Sequence, residues 1–306
     1  MNTQSHAEPE FNSPAVPNPT AVHPFYWSVR RELWENRYIY VAPLAVAGVV
    51  LLSSLISLMW LPRTMQAMGA LDPARESAVL ARPYNFAAFL IMGTTFVVGI
   101  FYCLDALHGE RRDRSILFWK SLPVSDLTTV LSKACIPLVV LQLLTFAITV
   151  ATQLIILLLS TVVVLGNGQS VASYWTQVPL FQMSTMLFYH LLTVHALWYA
   201  PIYSWVLLVS AWAKRATFLW AALPLFAIGI IERIVFGTSH FVALLGYRVS
   251  GPEAFGRAMH SDSPMAAMTT LDLGRFLSAP GLWTGLALAA LFLAAAVRLR
   301  RYREPI

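Results

Sequence analysis

Charge is scarce in this chain. Only 12% of its 306 residues are Asp, Glu, Lys or Arg, about half the share of an average soluble domain. Hydrophobic residues make up 58%, and the mean hydropathy is +0.63. A soluble globular protein is a poor fit to that balance. Cysteine is nearly absent too. Cys103 and Cys135 fall in or beside apolar runs, with neither metal-ligand spacing nor a disulfide framework. Both read as small buried apolar residues. The short motifs that carry chemistry are also missing. There is no G-x-x-x-x-G-K-[ST], and the stretch GNGQS has the glycines without the lysine. Neither H-E-x-x-H nor G-x-S-x-G occurs. Nucleotide hydrolysis by a phosphate-binding loop is therefore not expected here, and no bound cofactor or metal is expected either. Residues 1–23 are polar and proline-rich without an apolar core. They read as a disordered tail rather than a cleaved signal peptide.

What the chain does have is long apolar runs. A bilayer core about 30 Å thick takes about 20 apolar residues as helix. Six stretches reach or approach that length: 38–61, 86–107, 131–165, 186–212, 218–236 and 282–297. The expected fold class is an all-α polytopic membrane protein, with residues 24–306 as one membrane domain. The third run is longer than a bilayer needs, so it must tilt, protrude or kink near Pro137. Ahead of the first run, Tyr26, Val29 and Leu33 recur at helical spacing between Arg30, Arg31, Glu32 and Glu35. Pro24 suits the first position of a helix. The stretch reads as a short amphipathic helix on the membrane surface, with Trp27, Trp34 and Tyr38 at headgroup level.

The net charge of +6 and pI near 9.5 do not point to nucleic acid, because the basic residues sit at the ends of apolar runs. Six spans put both termini on one side. Fourteen of the 21 basic residues then share that side, among them Arg111, Arg112, Arg114, Lys133, Lys214, Arg215 and Arg300. The positive-inside rule places these, and both termini, in the cytoplasm. Residues 237–280 form a long outer segment containing one apolar patch, FVALLGY.

Several polar groups lie within or beside the spans. His190 and His195 are five apart, which is not the i, i+4 spacing of one helical face. With Tyr199 they read either as a polar lining of a translocation path or as buried side chains bonded to neighbouring helices. Glu232 and Arg233 interrupt the fifth span. Either that span breaks into a re-entrant turn at a vestibule, or it ends early and the pair sits among headgroups. Asp105 closes the second span near His108 and Arg111. It reads as an anchor for the following segment or as an ordinary interfacial carboxylate.

That segment, LHGERRDRSILFWKSLPVS from Leu107 to Ser125, is the most charged part of the chain. On a helix from Glu110 to Leu122, Arg111, Arg114 and Phe118 share one stripe and Ile116 and Lys120 another. Pro123 ends the helix, and Ser125 with Asp126 can cap the next. Ile116, Leu117, Phe118 and Trp119 cannot all face the bilayer surface. A charged rim beside an aromatic anchor is how a protein-binding hot spot is built. The plainer reading is a positive-inside loop with an interfacial tryptophan.

The pattern resembles the permease subunit of type-2 ABC exporters: an interfacial helix, two spans, the cytoplasmic segment ending in LPVS, then four more spans. The resemblance runs from Pro24 to the C-terminal tail, and its most specific part is Glu110 to Ser125. It implies that residues 108–126 form a coupling helix that docks on a separate ATP-hydrolysing subunit. Glu110, Arg111, Arg112, Asp113, Arg114, Ile116, Leu117, Phe118, Trp119, Lys120 and Pro123 would be the docking residues. It also implies pairing as a homodimer or with a second permease, a place in a bacterial inner membrane, and ATP and magnesium held by the partner. His190, His195, Tyr199 and Glu232 are the candidate path residues. A membrane scaffold or sensor using the same segment to bind a partner is the alternative. An intramembrane enzyme would need a closely spaced catalytic set, which the sequence does not offer.

Overall fold

The computed structural model describes residues 24–68, 72–115, 124–168, 170–250 and 273–302. The tail at 1–23, most of 237–280 beyond Ser250, and Ile116, Leu117, Phe118, Trp119, Lys120 and Pro123 lie outside the described residues. All regular structure among the described residues is helical. Among the described residues five helices are long and apolar enough to cross a membrane: α2 (Tyr38–Leu58), α4 (Pro73–Ala106, continued by α5, His108–Arg112), the broken helix α6–α7 (Asp126–Gly166), α11 (Thr217–Phe236) and α14 (Pro280–Tyr302, preceded by the short α13, Leu273–Ser278). A pair bent by 45° supplies a sixth. Its first limb, Val171–Trp198, includes α9 (Leu180–His190) and a π-helix over Leu191–Trp198, and its second is α10 (Ala200–Trp212).

The helix before the first span is present as α1, Pro24–Glu35. The third span is α6 (Asp126–Cys135), one π-helical turn (Ile136–Val140) and α7 (Leu141–Gly166). Pro137 cannot donate within an α-helical ladder. The chain absorbs it in the π turn, where the Gln142 side-chain Nε2 donates to the Pro137 carbonyl at 2.7 Å. Ser125 is the N-cap of α6, its side chain accepting from Thr128 N at 3.0 Å.

Two stretches expected as loops are helical. α3 (Leu61–Met68) and the first turns of α4 occupy the polar stretch after the first span. That stretch hides a buried stripe, Leu80, Tyr84, Ala87 and Ile91, spaced i, i+4, i+7, i+11. Leu80, Tyr84 and Ala87 pack on Ile156, Val164 and Tyr174, Ile91 packs with Ala47 and Ile148, and the Tyr84 and Tyr174 hydroxyls lie 3.0 Å apart. Tyr174 belongs to α8 (Val171–Gln177), inside the turn-rich segment after the third span.

The bundle has two unlike ends. At one end lie α1, α5, the start of α6 and the end of α14, beside the end of α10. This is the charged end. The far end holds the hydroxyl-lined core around Tyr84 and Tyr174. Between them a larger core joins Tyr102, Leu107, Val130, Leu141, Trp198, Tyr203 and Ala296, and Cys103 is buried in it. α10 packs along α14 through much of its length. α11 is peripheral, with Gly229 its one buried residue.

Candidate functional site

Six charged side chains meet at the charged end. Glu32 comes from α1, Glu110 from α5, Lys133 and Asp126 from α6, Arg300 from α14, and Arg31 from α1. Three are cations and three anions, so the cluster is neutral as a whole. Glu32, Lys133 and Arg300 are each at most 4% exposed, and Glu110 is 9% exposed. Lys133 Nζ lies 2.8 Å from Glu32 Oε1 and 3.1 Å from Glu110 Oε1. Arg31 Nη2 bridges the same two carboxylates at 2.7 and 3.3 Å. Tyr102 of α4 donates its hydroxyl to Glu32 Oε2 at 2.8 Å. Burial raises the Glu32 pKa, but Lys133 and Arg31 outweigh that and hold the carboxyl below its ordinary range.

Arg300 closes the arrangement. Its Nη1 pairs with Glu110 Oε2, and its Nε lies 3.1 Å from Asp126 Oδ1. Glu110 precedes the segment 113–125 and Asp126 follows it, so one guanidinium joins both feet of that segment. Removing one partner of a buried pair leaves an uncompensated charge. The feet are therefore fixed to the bundle by a constraint that is expensive to break.

Arg111 adds a second anchor. It is 3% exposed, and its Nη1 donates to the carbonyls of Ala211 and Ala213 at 2.8 and 3.2 Å. These are C-terminal carbonyls of α10, which have no partner inside the helix and favour a cation. Ser210 Oγ accepts from Leu107 N and His108 N, at 3.0 and 2.9 Å. The short α5 thus sits across the end of α10.

The sequence expected Glu110 and Arg111 to stand with Arg112, Asp113 and Arg114 on a docking face. The structure separates them. α5 lasts five residues and stops at Asp113, and Arg114 takes a left-handed backbone conformation with φ 57°. Glu110 and Arg111 turn inward, where buried counter-charges and helix-end carbonyls await them. Arg112 and Asp113 stay exposed and pair with each other at 3.1 Å. Asp105 meets Arg112 loosely, at 3.9 Å.

His190 and His195 do come together. Their ring centroids lie 5.5 Å apart, and His195 lies 5.2 Å from Tyr199. A π-helix brings residues five apart onto neighbouring positions through i→i+5 bonds. Tyr199 N donates to Val194 O at 3.0 Å in that pattern. The expectation that these histidines lie on different faces is corrected by this helix type, which apolar periodicity does not reveal. Both rings are buried within the chain, and the Tyr199 hydroxyl donates to Val249 O at 3.0 Å.

Glu232 lies elsewhere. α11 runs through it to Phe236 and turns at Gly237 (φ 65°) into α12, His240–Ser250. The Glu232 carboxylate accepts from His240 N at 2.7 Å, Phe241 N at 2.8 Å and the Thr238 hydroxyl at 2.8 Å. It caps the N-terminus of α12, satisfying amides that a helix start leaves open. α12 carries the FVALLGY patch. Its Arg248 lies over the Trp198 ring at 4.4 Å and donates to Gly281 O at 2.9 Å.

The signal for the charged cluster was present but split over the chain. Glu32, Glu110, Lys133 and Arg300 all stand at the ends of apolar runs, yet nothing in their spacing joins them. No family model, no curated protein and no solved structure matches this chain.

Proposed function

We propose that this chain is the membrane-spanning permease subunit of an ATP-driven exporter. In this reading the segment 113–125 is the handle on which a separate ATP-hydrolysing subunit docks, and the charged end faces the cytoplasm. The observation that carries the reading is the clamping of both feet of that segment. Glu110, Arg111 and Asp126 tie it to α1, α6, α10 and α14 at once. A displacement applied between the feet is passed to those helices as a unit. An ordinary orienting loop needs its positive charges but no such locking.

The ATP-hydrolysing subunit supplies the nucleotide chemistry. This chain contributes position: Arg112, Asp113 and Arg114 form the charged rim, and Ile116 to Trp119 the apolar anchor. A second permease, identical or different, completes the path, and α11 presents the barest face for it. The scaffold or sensor reading keeps the same docking and drops transport.

The test is co-purification of the tagged full chain from its native membrane. An ATP-hydrolysing chain should accompany it, and the purified complex should hydrolyse ATP. Phe118→Ala with Trp119→Ala should weaken that association by about 2–4 kcal/mol. Retention of the partner by the double variant at the wild-type level would remove the docking claim. Stable association without ATP-driven movement of any cargo in sealed vesicles would favour the scaffold.

A further inference from the structure

α1 carries an outward face that the charged cluster does not use. Arg30 lies between two indoles: its Cζ is 5.1 Å from the Trp27 ring centroid and 4.6 Å from that of Trp34. Trp27 is 52% and Trp34 65% exposed, so neither ring is there to fill a core. The neighbouring Arg31 has three carboxylates around it, Glu32, Glu35 and Glu110. Arg30 has no ion pair among the described residues. A guanidinium stacked on aromatic faces keeps its edge N–H groups free, and those groups fit a phosphate bidentately. Arg37, in the turn between α1 and α2, is exposed and likewise has no ion pair among the described residues. Just beyond it, Tyr38, Val41 and Leu44 are exposed at the start of α2.

Two guanidiniums without an ion pair among the described residues therefore lie close in sequence to exposed apolar side chains, one of them between two exposed indoles. A free phosphate would use the first feature and leave the rest idle. A phosphate carrying acyl chains uses all of it. We propose that Arg30, held by Trp27 and Trp34 and assisted by Arg37, is a binding site for the headgroup phosphate of an anionic glycerophospholipid. The proposal does not depend on the exporter reading.

The test uses the purified full chain in neutral detergent with added phosphatidylglycerol, phosphatidylcholine or inorganic phosphate. Native mass spectrometry reads retained lipid, and thermal unfolding reads stabilisation. Phosphatidylglycerol should be retained and should raise the melting temperature more than phosphatidylcholine does, with no effect from inorganic phosphate. Arg30→Gln should cut phosphatidylglycerol retention by about fivefold or more, in line with roughly 1 kcal/mol for one basic residue at an anionic surface. Its melting temperature in phosphatidylcholine should stay at the wild-type value. Trp27→Leu with Trp34→Leu keeps the apolar character and removes the stacking. It should also lower retention, and it decides the matter if Arg30→Gln fails to fold. Equal retention of the two lipids, unchanged retention in both variants, or equal stabilisation by inorganic phosphate would overturn the site.

Discussion

Lys133 Nζ lies 2.8 Å from Glu32 Oε1, 101 residues away in sequence and with almost no solvent around either. This pair joins the surface helix α1 to the foot of the third span. Lys133→Ala leaves Glu32 and Glu110 short of a counter-charge in a buried place and should cost about 3–5 kcal/mol. Glu32→Leu combined with Lys133→Met removes both charges at similar volume and should recover most of that loss. Thermal unfolding of the purified variants measures both. A harmless Lys133→Ala would contradict the cluster's structural weight.

Acid should loosen the same joint. The Glu32 carboxyl titrates below its ordinary value in the folded chain. Its contribution to stability is complete above the unfolded value, about 4.3, and is lost as pH falls through the folded one. Glu35 is shifted upward, chiefly by burial, and works in the opposite direction. The comparison that reads Glu32, together with its coupling to Glu35 and Glu110, is wild type against Glu32→Gln. The stability gap between them should narrow as the pH falls from 5 towards 3, on the scale set by these carboxylates. A constant gap would contradict the assignment.

Gly285 predicts a local failure at α12. A Cβ there would collide with the Arg248 guanidinium, coming 2.6 Å from its Cζ and meeting Nη2 as well. That guanidinium is already held by Trp198 and the Gly281 carbonyl. Gly285→Ala should displace Arg248 and cost about 1–3 kcal/mol. Hydrogen exchange should show faster opening of His240–Ser250 while Asp126–Gly166 is unchanged. An unaltered exchange pattern would show that Arg248 has another seat.

Topology has a direct test. In a background lacking Cys103 and Cys135, Arg112→Cys and Gly166→Cys lie at opposite ends of the bundle. An impermeant thiol reagent should label them from opposite sides of the membrane, Arg112→Cys from the cytoplasm. Labelling from one side would overturn the proposed orientation.

Much of the architecture is legible in the residues. The runs beginning at Tyr38 and ending at Trp212 and Phe236 match helices because unbroken apolar stretches of that length admit little else. The chain also marks the helix α1 and the cap at Ser125 through Pro24, its amphipathic spacing and the Ser-Asp pair. The long α4 is harder to foresee, because Leu80 and Tyr84 stand among Arg75, Glu76 and Arg82 and look like loop. His190 and His195 were separated by assuming an α-helical repeat, which the π-helix breaks. The inward turn of Glu110 and Arg111 depends on partners 190 and 100 residues away, and no local pattern records such distances. Glu232 stands out in the sequence as a charge that interrupts an apolar run. Its role as the cap of α12 needs the turn at Gly237 to be seen.

In the proposed coupling, the feet of the segment 113–125 transmit a partner's motion into the membrane helices. The purified complex of this chain with the proposed ATP-hydrolysing subunit, bearing Gly166→Cys in the cysteine-free background, tests it most directly. Thiol labelling at that far-end position is compared with and without ATP and vanadate, in otherwise wild-type chain and with Arg300→Leu. The account predicts nucleotide-dependent labelling in the first, and labelling indifferent to nucleotide in the second while the partner stays bound. The same nucleotide response in the Arg300→Leu chain would contradict it.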